Sequence, residues 1–375
     1  MRLPGGVHLG YCTNVHAADT ARDVMASLAG VAARVRSLLA LDTLGVGLYL
    51  SRRAAAEVDP PALRDFLAAH GLYVFTLNGF PYGDFHGERV KEAVYTPDWT
   101  DPRRAEHTLR LAAILDALAP DDVAVPTIST VPLGWRPGWD ADRTTAAARA
   151  LVAVADALHA RVEQGGRPVR ICLEPEPGCA VETCAEAARF FDGPLTHAAG
   201  RAADRVRAHL GLCWDTCHQA VVFEEPAAIL GTLAAAGVAI GKVQLSSALE
   251  LRDPRDGDAL DRLAAFDEPR YLHQVRTVGG GADDLPEAFA SLPRDHPWRV
   301  HFHVPIDRDV AGALGTTRPE LARAIDALRE ARATVQYEVE TYTWSVLPEA
   351  ERPREDAALA AGLAREIAWA RERLA

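Results

Sequence analysis

The stretch Val169-Arg170-Ile171-Cys172-Leu173-Glu174 is a short apolar run that ends on a carboxylate. Four later runs share its design: Leu212-Cys213-Trp214-Asp215-Thr216-Cys217-His218, Lys242-Val243-Gln244, His301-Phe302-His303 and Val335-Gln336-Tyr337-Glu338-Val339-Glu340. Each places a carboxylate, amide or imidazole at the C-terminal tip of a strand-like segment. In a parallel barrel the strand ends open onto one mouth, so tips distant in sequence line one polar pocket. Oxygen-rich tips that converge point to a divalent metal.

Working outward, strand-like and helix-like segments alternate along the whole chain, the pattern of a parallel sheet covered by helices. The expected strands are Val7 to Cys12, Leu44 to Leu50, Leu72 to Asn78, Val123 to Ser129, Val169 to Glu174, Leu210 to Asp215, Ile240 to Leu245 and Val335 to Glu340, with His301 to Ile306 as an additional short run. A count near eight favours an α/β fold closed as a (β/α)8 TIM barrel. Apolar residues at three- and four-residue spacing predict outer helices over Thr20 to Leu39, Pro102 to Leu118, Thr144 to Val162, Pro319 to Ala331 and Asp356 to Leu374. A Thr cap, a Pro and an early Glu in Thr316-Thr317-Arg318-Pro319-Glu320 mark one helix start.

Two long connections break the rhythm. Gly79 to Thr100 is rich in aromatics, Gly and Pro after a strand tip, the composition and place of a lid. Glu250 to Trp298 is longer and carries an expected hairpin around Tyr271-Leu272-His273-Gln274-Val275. The chain exceeds the usual ~250 residues of this barrel, but long insertions are common in it. The expectation is one barrel domain over residues 1–375 with an insertion at about 250–298.

The 375 residues are 49% hydrophobic and 25% charged, which is enough apolar content for a large core and argues against disorder. A net charge of −12 disfavours non-specific binding to nucleic acid or an anionic membrane. The start Met1-Arg2-Leu3-Pro4-Gly5-Gly6 has no apolar signal core, and no stretch has the length of a membrane span, so a cytoplasmic protein without membrane insertion is expected. The six cysteines include no C-x-x-C pair and read as reduced, structural thiols. Of the two lysines, Lys242 precedes Gln244 and is expected deeper in the barrel, paired to a carboxylate, rather than as a Schiff-base nucleophile. Oligomeric state is not written in the sequence.

Glu174 and Glu176 alternate with prolines in Leu173-Glu174-Pro175-Glu176-Pro177-Gly178, so both carboxylates face one way on extended backbone. A charged Asp215 after a nearly apolar run is costly unless paired or coordinated. His218, one helical turn on, is placed to fold back over it.

The string Gly211-Leu212-Cys213-Trp214-Asp215-Thr216-Cys217-His218, with Leu173-Glu174 upstream, resembles the xylose-isomerase-like barrel superfamily, which holds sugar epimerases, hydroxypyruvate isomerase and endonuclease IV. The resemblance implies a metal held by Glu174, Asp215, Gln244 and Glu340. A narrower likeness, carried by His8-Leu9-Gly10-Tyr11-Cys12-Thr13-Asn14, Leu77-Asn78-Gly79-Phe80-Pro81-Tyr82-Gly83, Leu173 to Gly178 and Glu340-Thr341-Tyr342-Thr343-Trp344, is to the "metabolite traffic protein EboE" family. It implies a bacterial protein connected with moving a small metabolite. The nuclease branch needs histidines at earlier strand ends, where this chain has Asn78 and the His-free Val125 to Ser129, so a three-zinc site is not expected. His301 and His303 do resemble the D-x-H pair of that branch, which leaves a second metal with His218 open.

An all-oxygen ligand set suits manganese or magnesium better than zinc. One divalent ion is expected, with manganese favoured over magnesium, cobalt or zinc. The expected activity is isomerisation or epimerisation of a small sugar or polyol through an enediolate, with Glu174 and Glu340 moving the proton and His218 neutralising the oxyanion. Asn78, His86 and His303 are expected to hold hydroxyls, and Glu176, His301 and Glu338 complete the candidate substrate contacts; Glu338 and Glu340 could exchange roles. The competing readings are a non-catalytic metabolite carrier and a metal-dependent hydrolase or lyase.

Overall fold

The protein is seen in a computed structural model that describes residues 1–308 and 314–375. Eight strands form its centre: β1 Val7–Cys12, β2 Leu44–Tyr49, β3 Leu72–Asn78, β4 Thr127–Thr130, β5 Arg170–Leu173, β6 Leu210–Asp215, β7 Ile240–Leu245 and β8 Gln336–Val339. Each pairs in parallel with the next, and β8 pairs back onto β1 with Tyr337 opposite Leu9 and Val339 opposite Tyr11. The sheet is therefore a closed eight-stranded parallel barrel ringed by helices, and the expected (β/α)8 fold is the observed one. Strands covered on both faces read as continuous apolar runs. Accordingly Val46, Val74, Ile128, Ile171, Leu212 and Val243 are all fully buried.

Helices Pro102–Leu118 and Asp356–Leu374 keep the expected bounds, and Ala141–Glu163 and Arg318–Glu330 differ from them by a few residues at most. Three expectations shift for local reasons. β4 starts at Thr127 rather than Val123, because Pro126 offers no N–H to a ladder. The helix expected over Thr20 to Leu39 is Ala21–Ser27 and Ala33–Leu38 around a wider turn at Leu28–Ala32, which has Gly30 at its centre. Thr317 occupies the cap position of Arg318–Glu330 without capping it, since its hydroxyl instead accepts a hydrogen bond from the Ala248 N–H at 2.8 Å.

Between β7 and β8 the chain builds a second, antiparallel sheet from Leu249–Leu251, Val275–Thr277, Gly280–Ala282, Trp298–Val300 and Leu314–Thr316. Its hairpin joins Val275–Thr277 to Gly280–Ala282, with Gly279 at φ +83° making the turn. The hairpin thus begins at Val275, the last residue of the Tyr271 to Val275 segment expected to form it, and residues 271–274 are irregular. The run His301 to Ile306 is likewise not a strand. Ladder pairing stops at Val300, and the chain turns away with Phe302 N–H bonded to Val300 O.

The connection after β3 lies over the barrel mouth and is tied to this insertion. Val90 and Lys91 N–H both donate to Arg270 O, the Arg270 Nε donates to Gly87 O, and Lys91 is ion-paired with Asp284. All six cysteines are free and buried. Among the described residues no helix is long and apolar enough to cross a membrane.

Candidate functional site

At the C-terminal mouth, Glu174 follows β5, Asp215 ends β6 and Glu340 follows β8. Their carboxylate oxygens can all be chosen within 4.8 Å of one another. All three are nearly inaccessible, at 3%, 0% and 3% exposure, so three potential negative charges share one dry site. Burial, and then the neighbouring Asp215, raise Glu174 well above the usual carboxylate range, and burial followed by Glu174 and Asp215 does the same to Glu340. Asp215 moves the other way. Burial opposes its ionisation, but the His218 and His303 rings and the hydrogen bonds to Oδ1 hold its pKa down. Those bonds come from the Cys217 and His218 backbone N–H groups and the Ser246 hydroxyl, at 2.8, 2.9 and 2.7 Å.

The three carboxylates are oriented unequally. Glu340 Oε1 accepts from the amides of Asn14, just past β1, and Asn78, at the tip of β3, each at 2.8 Å. Asp215 spends Oδ1 on its three donors and leaves Oδ2 buried without a partner, and Glu174 Oε2 is likewise unpartnered. Buried oxygens without donors, facing like charges, are costly unless a cation or protons satisfy them. The residues therefore fit a divalent metal, with Glu174, Asp215 and Glu340 as its oxygen donors.

Gln244 lies opposite Asp215 on one side and Glu338 on the other. Its amide is engaged by the Cys213 thiol at 3.2 Å and Glu338 Oε1 at 3.4 Å, so the structure places it beside the three carboxylates but bonded to groups below them. Glu338 points into the barrel interior, where Lys242 donates to it, and it does not line the pocket. Its Oε2 lies against Gly47, where a Cβ would come within 1.5 Å of it. Burial alone would lower the Lys242 pKa, but the Glu338 charge raises it, which keeps the ammonium protonated and unable to act as an amine nucleophile.

An imidazole cluster adjoins the carboxylates. The Nδ1 atoms of His218, His301 and His303 face Pro175 O, Gln274 Oε1 and Glu340 O at 3.0, 2.7 and 2.8 Å. Each acceptor fixes the Nδ1–H tautomer and leaves Nε2 bare. Gln274 is itself oriented by donating from Nε2 to Tyr95 Oη and Pro177 O. The Nε2 atoms of His301 and His303 are 3.3 Å apart. Burial lowers all three pKa values, His218 to about 4. Glu176 takes a 2.7 Å hydrogen bond from Tyr95, and burial raises it to about 8, so it is largely protonated at neutral pH.

The pocket above these groups is a small cavity of about 50 Å³ that opens to solvent. Asn14, Asn78, Glu174, Glu176, His218, His301 and Glu340 reach it. His303 is fully buried behind them, and His86 is turned away, its Nε2 2.7 Å from Asn14 O, where it ties the lid to the turn that carries Asn14. Sequence reasoning missed Asn14, Tyr95, Gln274 and Ser246. The placement of Asn14 directly after a strand tip was a usable signal; Gln274 and Tyr95 lie in long connections that offered none.

The sequence matches no protein-family model, and no curated protein matches it. Among solved structures, the chain resembles D-allulose 3-epimerase from Methylomonas sp. in complex with D-allulose, at TM-score 0.55 and 15% identity over 100% of this chain and 99% of that one. It resembles an L-ribulose 3-epimerase at TM-score 0.54 and 15% identity, over 98% and 94% of the two chains. A xylose isomerase-like TIM barrel protein from Mycobacterium smegmatis in complex with magnesium gives TM-score 0.55 and 12% identity over 100% of both chains. At such identities the likeness shows the fold alone, an eight-stranded parallel TIM barrel ringed by helices.

Proposed function

We propose that this protein is a metal-dependent isomerase or epimerase acting on a small sugar- or polyol-like hydroxycarbonyl compound by proton transfer through an enediolate. The observation that carries the reading is the cluster of Glu174, Asp215 and Glu340, two of which keep a buried oxygen without a hydrogen-bond partner. A divalent ion bound there, manganese by the hardness of the oxygen set, supplies Lewis-acid polarisation of a carbonyl when present. Glu174 and Glu340 reach the pocket from strands on different sides of the mouth, so one can take up a proton on one side of a bound substrate and the other can deliver one. One removes the proton α to the carbonyl and the other returns it. Asn14 and Asn78 fix Glu340 for this role, while His218, held with Nδ1–H on Pro175 O and Nε2 bare, offers an acceptor to a substrate hydroxyl and not the charge-neutralising donor expected from the sequence. Two of the three similar structures are an L-ribulose 3-epimerase and a D-allulose 3-epimerase, which agrees with this chemistry. A part in Ebo-type metabolite traffic, with catalysis or simple carriage in this pocket, follows from the sequence resemblance and belongs to the same proposal. The test is exchange of substrate α-protons with solvent deuterium by the manganese-loaded protein. A Glu174→Gln variant that exchanges at the wild-type rate would refute the role of Glu174.

A second reading is favoured by the two bare Nε2 atoms facing at 3.3 Å, next to His218 and Asp215. Such lone pairs repel without a shared proton or cation. A second ion there would turn the site toward hydrolysis of a phosphate ester. Metal content per chain separates the two: one equivalent supports the isomerase, two the hydrolase.

A further inference from the structure

The pocket is not polar throughout. Besides the carboxylates and asparagines, it is lined by Phe85 from the lid, Tyr271 from the insertion and Tyr342 from the segment after β8. These three rings pack on one another with centroids 5.1, 5.1 and 5.0 Å apart, although they come from three separate parts of the chain. The polar end of Tyr271 is already used, its hydroxyl donating to Phe85 O at 3.0 Å, so the ring and not the phenol is what it offers. The same holds for Tyr95, whose hydroxyl sits between Glu176 and Gln274. Among the described residues lining the pocket there is one lysine or arginine, Lys91, and it is ion-paired with Asp284. No free cation is therefore presented to a phosphate, and of the three rings only Tyr342 keeps an uncommitted hydroxyl for the trailing hydroxyls of a hexose.

We infer that the substrate is a two-ended molecule: a hydroxycarbonyl head that meets Glu174, Glu340 and the asparagines, and a flat aromatic or compact unsaturated tail that packs against Phe85, Tyr271 and Tyr342, without a phosphate. Ring faces bind such a tail by burial and offset or edge contacts, while a chain of hydroxyls placed there would lose hydrogen bonds to water without replacement. The inference rests on the proposed function for the identity of the head alone.

The experiment compares two probes on the manganese-loaded full chain by calorimetric titration: 1-hydroxy-3-phenylpropan-2-one and D-allulose. The phenyl compound is expected to bind about tenfold tighter or better, the scale of one well-made aromatic contact. In Phe85→Leu and Tyr271→Leu, which keep apolar volume but remove a ring, that preference shrinks severalfold while the thermal midpoint stays near wild type. Equal or tighter binding of D-allulose overturns the inference, as does failure of both probes to bind at millimolar concentration or an unchanged preference in both folded variants. Solvent-deuterium exchange at the α-carbon is read in parallel. Exchange without a preference for the phenyl probe leaves the isomerase standing and removes the two-ended substrate. Preference without exchange does the reverse.

Discussion

Asn14 and Asn78 converge on a single carboxylate oxygen, each donating an amide N–H to Glu340 Oε1 at 2.8 Å from the ends of non-adjacent strands. Asn78 is itself fixed, because its Oδ1 accepts the Phe80 N–H at 3.1 Å. One oxygen of Glu340 is thereby committed to orientation and the other is left for a cation. Outer hydrogen-bond partners of this kind typically govern metal affinity by 10- to 100-fold. Asn78→Leu is expected to weaken manganese binding within about that range, with the fold intact by circular dichroism. An unchanged dissociation constant in a metal titration would show that Glu340 does not depend on Asn78.

Lys242 and Glu338 form the second buried relationship that can be tested separately from chemistry. Both are fully buried, and breaking such a pair leaves an uncompensated charge. Lys242→Met should therefore cost about 3–5 kcal/mol in chemical denaturation. Adding Glu338→Gln should restore most of the loss, because the leftover charge disappears. If the double variant is as unstable as the single one, the cost comes from packing around Gly47 rather than from the charge.

The barrel was legible because its strands are buried on both faces, which leaves continuous Val, Ile and Leu runs with turns between them. Glu174, Asp215 and Glu340 stood out for the opposite reason, since a carboxylate ending such a run needs a compensating partner. Period-two alternation correctly put Glu338 and Glu340 on one strand face, but depth along the barrel axis has no signature in alternation. Depth decided that Glu338 meets Lys242 inside while Glu340 reaches the pocket. The residues that escaped notice depend on closure between distant segments: Gln274 matters because the insertion carries it against Tyr95 of the lid and His301. His86 was chosen for its chemistry, yet its ring turns to the Asn14 carbonyl and serves the lid.

Metal binding should release protons. Without a cation, burial and mutual repulsion raise Glu174 and Glu340 well above their ordinary range, which favours their protonated forms. A divalent ion must displace those protons, and about one to two protons should leave per ion. Calorimetric titrations in buffers of different ionisation enthalpy measure this number directly. Apparent affinity should fall as pH is lowered, since protons then compete better. Zero release with pH-independent affinity would mean that the ion binds elsewhere.

Glu366, on the final helix, gives the clearest stability prediction because it lies behind the site rather than in it. It is fully buried and accepts from the Thr341 hydroxyl at 2.6 Å, the Ile306 N–H at 3.1 Å and the Trp344 indole N–H at 3.0 Å, so it anchors the segment that follows Glu340. Burial raises its pKa from 4.5 to about 7, with the nearby Asp307 charge acting in the same direction against the hydrogen bonds. A carboxyl whose folded pKa is raised contributes stability that is full below its unfolded value and is lost as pH rises through the folded one. The loss should fall between about pH 4.5 and pH 8 and amount to no more than about 3 kcal/mol, the equivalent of the shift. Glu366→Gln keeps the acceptor oxygen but cannot ionise, so the difference in unfolding free energy between wild type and variant should change across that window in favour of the variant. A difference that stays flat from pH 5 to about 8 would show that Glu366 ionises in the folded protein as readily as in the unfolded chain.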